Sequence, residues 1–204
     1  MTQLKTEQDL RTIYKQPGGG AVGKDIAQID SHFANFIRLS PFLCMGTMGE
    51  NGLGDVSPRG GEPGFVHVLD ARTLAMPDRP GNNRLDSLLN IMCNPGVGLL
   101  FFVPGFEDTL RVNGVARVAN DPELMQRFIA CGKPPRSVVV IDVKEAYLHC
   151  AKAIRRAGLW MQDARVDRAA LPTAGEIYRD HLKLETEVAT IDAALDKDAR
   201  DNLY

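Results

Sequence analysis

Between Thr109 and Val118 the residues Leu110, Val112, Gly114, Ala116 and Val118 interleave with Thr109, Arg111, Asn113, Val115 and Arg117. A period of two turns one set toward a core and the other toward solvent, which predicts a half-buried antiparallel strand. The continuous apolar runs Val97–Val103 and Ser137–Val143 predict buried strands beside it. Phe42–Thr47, Leu53–Arg59, Phe65–Leu69 and Thr73–Met76 are further short strand candidates, and Glu50-Asn51-Gly52 reads as a hairpin turn. These strands gather in the centre of the chain without regular β-α-β alternation. That predicts an α+β chain, mainly β with peripheral helices, built on a small antiparallel barrel.

Helices are expected on the flanks, at 6–14, 25–38, 122–131 and within 175–195. In the second of these Ile26, Ile29, Phe33, Phe36 and Ile37 share one face and Pro41 punctuates the end. The expected organisation is an N-terminal helix and flexible loop over 1–24, a barrel domain over 25–165 and a helical extension over 166–204.

Composition narrows the function classes. With 204 residues, 44% of them hydrophobic, the chain can bury a substantial core. A formal net charge of −2 gives no general affinity for nucleic acid or anionic membranes. No apolar run approaches the length of a membrane span, and the first ten residues lack the basic-then-apolar layout of a signal peptide, so the expected location is the cytoplasm. Cys44, Cys93, Cys131 and Cys150 form no C-x-x-C pair and are expected to be reduced and mostly buried. The four histidines have no H-E-x-x-H spacing, and no metal site is expected. Gly18-Gly-Gly-Ala-Val-Gly23-Lys24-Asp25 nearly matches a phosphate loop. Asp25, however, replaces the hydroxyl residue that would ligand magnesium, and no buried strand precedes it. The plainer reading is a flexible loop before a helix capped by Asp25.

The segment from Asp70 to Ile91 reads as a short strand, a tight turn and the start of a helix. Leu85, Leu88, Leu89 and Met92 mark its apolar face, and Asn94-Pro95-Gly96 ends it. Asn82 or Asn83 is the expected N-cap. Arg79 and Arg84 sit where the turn meets the helix. A cation beside a helix N-terminus is electrostatically misplaced unless an anion shares the site, and a phosphate group resolves that conflict. Alternatively, Asp78 or Asp86 neutralises these arginines on a solvated surface.

Two other segments carry polar chemistry. In Gly54-Asp-Val-Ser-Pro-Arg-Gly-Gly61 the glycines let backbone approach a flat ligand, Pro58 removes a donor, and Ser57 and Arg59 add a hydroxyl and a cation; an ordinary strand exit looks the same. In His149–Trp160 the cations Lys152, Arg155 and Arg156 either form a solvated helix face or orient an anionic substrate. Core packing is the default role for Trp160.

Asp55-Val-Ser-Pro-Arg-Gly60, Pro63-Gly-Phe-Val66, Pro77-Asp-Arg-Pro-Gly-Asn-Asn-Arg84, Ser87-Leu-Leu-Asn-Ile91, Asn94-Pro95 and His149-Cys-Ala-Lys-Ala153 occur in this order. Together they resemble pyridoxamine 5'-phosphate oxidase-related FMN-binding proteins over most of residues 30–180. The resemblance implies a split β-barrel, a homodimer and one FMN at each of two sites between subunits. It places Asn83 and Arg84 at the FMN phosphate, Pro77 and Asp78 beside the ribityl chain, and Ser57, Pro58, Arg59 and Gly60 along the isoalloxazine ring. Thr109 would reach the flavin from the other side. Asn82 belongs to the same turn, Arg79 joins this set by proximity, and Arg59, Arg111 or Lys152 is the candidate cation near flavin N1. The chain departs from true pyridoxamine phosphate oxidases: Asn83-Arg84 replaces arginine-lysine at the phosphate turn, and Ser57-Pro-Arg-Gly-Gly61 replaces R-x-V-L-L-K with no match for its substrate-recognising lysine. A vitamin B6 substrate is therefore not implied. The expected function is an FMN-dependent oxidoreductase of unknown substrate, taking electrons from a donor such as NAD(P)H. The rivals are a non-enzymatic flavin-binding, storage or sensor protein, and a split barrel for a deazaflavin or haem.

Overall fold

The computed structural model of the chain describes residues 3–204. Its centre is one seven-stranded, wholly antiparallel sheet. The strands are β1 (Phe42–Met48), β2 (Gly54–Gly60), β3 (His67–Asp70), β4 (Thr73–Asp78), β5 (Gly96–Phe102), β6 (Thr109–Ala119) and β7 (Ser137–His149), in the spatial order β2-β1-β5-β6-β7-β4-β3. The sheet is not closed; β2 and β3 are its edges, as in a split barrel. Around it lie α1 (Glu7–Arg11), α2 (Gly19–Val22), α3 (Ser31–Leu39), α4 (Asp86–Cys93), α5 (Pro122–Gln126), α6 (Lys152–Ala157), α7 (Ala174–Leu182) and α8 (Val188–Asp201).

Alternation decides which side is core. Leu43 and Met45 of β1, Leu99 and Phe101 of β5, Leu110 and Val112 of β6, and Leu74 and Met76 of β4 all point inward and are essentially inaccessible to solvent. Ile37 of α3 and Ile91 of α4 close over them. The opposite face of β4 and β7 is also covered: Ala75, Val138 and Val140 pack under Phe128, Leu124 and Met125. Burial on both faces is why Ser137–Val143 reads as a continuous apolar run rather than an alternating one.

Several local expectations are corrected. The helix expected over 25–38 starts only at Ser31, where the Asp30 carboxylate accepts the Phe33 N–H at 2.8 Å. Ile26 instead exchanges backbone hydrogen bonds with Ala146, at 3.0 and 2.7 Å, so edge pairing with β7 overrides helical periodicity, and Asp25 caps no helix. The N-terminal helix is shorter than 6–14, and α5 stops at Gln126 rather than Cys131. Strand β7 runs on to His149, because β6 offers partners as far as Thr109. The C-terminal helical stretch is broken between Leu182 and Val188, where Lys183 adopts a left-handed conformation. Cys93, Cys131 and Cys150 are exposed and Cys44 is half-buried, not mostly buried as expected.

Gly114 sits at the register shift where β6 crosses β7. A Cβ there would meet the Asp142 carbonyl oxygen at 2.5 Å and the Ile141 Cγ2 at 2.8 Å. Gly114→Ala is therefore expected to cost about 1–3 kcal/mol of unfolding free energy, the range for overpacking a tight site. Denaturant titration checks this, and an unchanged midpoint would show that the β6–β7 crossing yields freely.

Candidate functional site

The inward-facing residues of edge strand β2 are Asp55, Ser57 and Arg59, which pair across the ladder with Thr47, Met45 and Leu43. Helix α4 begins beside them. Ser87, in its first turn, is buried, with its Oγ 3.2 Å from an Asp55 carboxylate oxygen and 3.1 Å from Ser57 Oγ. Asn90, one turn later, donates to Thr47 Oγ1 at 3.0 Å. Arg59 donates from Nε to Ser57 Oγ at 3.2 Å and from Nη1 to Asp78 Oδ1 at 2.7 Å. One polar chain thus runs from α4 across β2 to the end of β4 and fixes the three walls of a cleft.

That cleft encloses about 480 Å³, within the range of small-molecule sites. Of the sequence-predicted cofactor residues, Ser57, Pro58, Arg59, Asp78, Arg79, Asn82 and Asn83 line it. Pro77 is buried in β4, Gly60 closes β2 against Phe42, and Arg84 is exposed and paired with Asp86 at 2.7 Å; none of the three is in the lining. The hydrogen bond and charge of Asp86 hold the Arg84 guanidinium above its ordinary range. The ion-pair alternative read from the sequence is thus realised at Arg84, whereas Asp78 pairs with Arg59 and leaves Arg79 without a carboxylate partner among the described residues.

The cap of α4 differs from the expectation. Neither Asn82 nor Asn83 caps it; the N-cap is Leu85, left-handed at φ 63°, with no side-chain hydrogen bond to the first turn. The Asn82 side chain accepts the Arg84 N–H at 3.0 Å, and Asn83 is also left-handed, at φ 57°. The turn spends this one amide on itself. The helix N–H groups stay uncapped, with their partial positive charge facing a cleft that Leu85, Asp86, Ser87 and Leu88 line.

Arg136 lines the cleft and was missed by sequence reasoning. Its backbone N–H bonds the Asp78 carbonyl at 3.0 Å, and its Nη1 donates to Asn83 Oδ1 at 2.9 Å. Of the lining cations, Arg59 is neutralised by Asp78, whereas Arg79 and Arg136 have no carboxylate within ion-pair distance among the described residues. Only the β4–β7 register, which sets Asp78 opposite Ser137, brings it here. The cleft therefore offers an uncommitted guanidinium, free helix N–H groups and a hydroxyl-bearing strand. Such an arrangement holds an anionic tail with a flat body beside it.

The other predicted residues lie elsewhere on the chain. Thr109 is buried on β6 opposite His149, and Arg111 donates to the Tyr147 hydroxyl at 2.8 Å. Lys24 stands 4.9 Å from the Tyr147 ring centroid. Burial, then Arg111 and Lys24, push His149 below the usual imidazole range. Lys152, Arg155 and Arg156 are exposed on α6, where Arg155 pairs with Glu107. Trp160 is not a core residue: it is 38% exposed and its indole N–H donates to the Phe106 carbonyl at 2.7 Å. No helix among the described residues is long and apolar enough to cross a membrane.

Residues 29–150, more than half of the chain, match the sequence model of the pyridoxamine 5'-phosphate oxidase family. No curated protein matches the chain by sequence. Among solved structures, HupZ of Group A Streptococcus is similar at 14% identity and a TM-score of 0.49, over 59% of this chain and 93% of that one. A proposed pyridoxamine 5'-phosphate oxidase of Lactobacillus delbrueckii is similar at 21% identity and a TM-score of 0.47, over 61% and 98%. General Stress Protein 26 of Bacillus anthracis is similar at 16% identity and a TM-score of 0.43, over 56% and 88%.

Proposed function

The chain belongs to the pyridoxamine 5'-phosphate oxidase family, and on that premise we propose that it is an FMN-dependent oxidoreductase with its cofactor in the cleft between β2, α4 and the turn after β4. The observation that carries the reading is the uncapped start of α4 facing Arg136 across one cleft. These groups suit a phosphate monoester, and Ser57, Pro58 and Arg59 along β2 offer a wall for a flat ring. The flavin, when bound, supplies hydride chemistry; the protein holds and tunes it. Arg136 and the α4 amides fix the anionic end. Asn83, accepting from Arg136, orients that guanidinium. Arg59, held by Asp78 and Ser57, keeps a cation beside the ring.

The proposal includes a homodimer. The outward residues of β1, β2 and β5 are largely apolar, and Phe42, Met48 and Val56 are 40%, 46% and 69% exposed. A second copy on this face would bury them and bring its Thr109 and Arg111 toward the flavin. Lys152, Arg155 and Arg156 would then orient an anionic substrate. Sedimentation should give a dimer; a monomer that retains flavin would contradict the shared site.

Arg136→Ala is expected to weaken FMN binding by about 1.5–3 kcal/mol, the range for hydrogen bonds to charged groups. Arg84→Ala should weaken it less, since Arg84 must first leave Asp86. Flavin fluorescence titration measures both, and an unchanged affinity in Arg136→Ala would remove Arg136 from the site. Anaerobic mixing of the flavin-loaded protein with NADH or NADPH tests the enzyme reading. Bleaching at turnover rates supports it, and no reaction with either donor favours a flavin-binding protein without an NAD(P)H reaction.

A further inference from the structure

Arg79 belongs to two pockets. One is the cleft above; the other is a separate space of about 240 Å³, walled by Arg79, Glu62, His67, Arg127, Phe128 and Tyr204 among others. Flat rings make up part of this wall. His67 and Phe128 stack with centroids 4.1 Å apart and planes 25° from parallel, and the Tyr204 ring centroid lies 5.0 Å from the Arg79 guanidinium carbon. Burial and, after it, Arg127 hold His67 below the usual imidazole range. Three charged side chains also line the pocket. Arg79 and Arg127 share this wall with Glu62, and none of the three side chains forms an ion pair among the described residues.

Arg79 is already held in place. Its Nη2 donates to the Phe128 carbonyl at 2.8 Å, while its remaining N–H groups have no partner among the described hydrogen bonds. Lys133 donates to the Tyr204 carbonyl at 2.9 Å and fixes that residue against the barrel. Guanidinium N–H groups in a fixed fork match the two oxygens of a carboxylate. A cavity of about 150 Å³ holds benzene, so this pocket has room for one ring with an anionic substituent but not for a three-ring flavin.

We propose that this pocket binds a monocyclic aromatic carboxylate, its carboxylate on Arg79 and Arg127 and its ring against the His67–Phe128 stack and Tyr204. The site goes beyond the cofactor reading and stands whether or not the cleft takes FMN. Calorimetric titration of the full chain with benzoate tests it, with acetate and benzyl alcohol as the anion and the ring alone. Benzoate should bind saturably, acetate and benzyl alcohol at least about tenfold more weakly, and Arg127→Gln should weaken benzoate about tenfold. Arg127 is exposed and outside the cofactor cleft, so this variant should fold and keep its FMN affinity. Tyr204→Ala should also weaken benzoate. Absent benzoate binding, equal binding by acetate or by Arg127→Gln, or tighter binding in Tyr204→Ala would each overturn the proposal; in the last case the tyrosine ring would itself be the occupant. Loss of FMN binding with benzoate binding intact would instead count against the cofactor reading alone.

Discussion

Phe101→Ala is expected to lower the unfolding free energy by about 3–5 kcal/mol, the measured span for deleting a buried ring. Phe101, next to the last residue of β5, is completely inaccessible between Leu43 of β1 and Leu110 of β6, which are its register partners on either side. All three belong to the main core, whose other walls are β4, β7 and the inner faces of α3 and α4. The strands are locked to one another by ladder hydrogen bonds, so the sheet cannot collapse into the void, and both transfer and cavity costs are felt. A domain of ordinary stability, about 5–15 kcal/mol, would lose a large fraction of its margin. Urea titration with an unchanged slope reads the loss directly. A loss below about 1.5 kcal/mol, typical of a volume-conserving swap, would show that the site closes up.

Asp78→Ala is expected to cost about 2–4 kcal/mol, somewhat under the range for removing one partner of a fully buried ion pair. The Arg59 and Asp78 side chains are only 20% and 14% exposed, so water cannot replace the lost carboxylate fully. Arg59 would keep a single neutral acceptor, Ser57 Oγ. The charge would also sit in the network that ties β2 to α4, so the damage should reach the cleft. The double variant Arg59→Met with Asp78→Leu should recover most of the loss, because it removes the charge as well as its partner. If Asp78→Ala alone costs under about 0.5 kcal/mol, the pair behaves as a solvent-screened surface contact.

The network also explains why the cleft is only partly visible in the sequence. Ser57, Arg59 and Asp78 could be singled out because a hydroxyl, cations and glycines crowd two short segments. Their mutual distances could not, because they depend on β2 pairing with β1 and on α4 folding back over both. Ser87 reads as one polar residue in an amphipathic helix; its role as the link between Asp55 and Ser57 exists only after packing. The asparagines next to the helix were expected to cap it, but Asn82 satisfies its own turn instead and leaves the helix open.

What the sequence by itself determined is the antiparallel, mainly β architecture and the two segments that supply most of the cleft. Both rest on short-range physics: period-two alternation, apolar runs of strand length, and turn residues at fixed offsets. Only the tertiary structure decided that Ile26 pairs with β7 instead of opening a helix, that β7 continues to His149, that Arg136 joins the cleft, and that Tyr204 returns to Arg79. Each of these depends on partners tens of residues away. Hydrogen bonds and charges between distant segments are set by sheet register and packing, which no local pattern encodes.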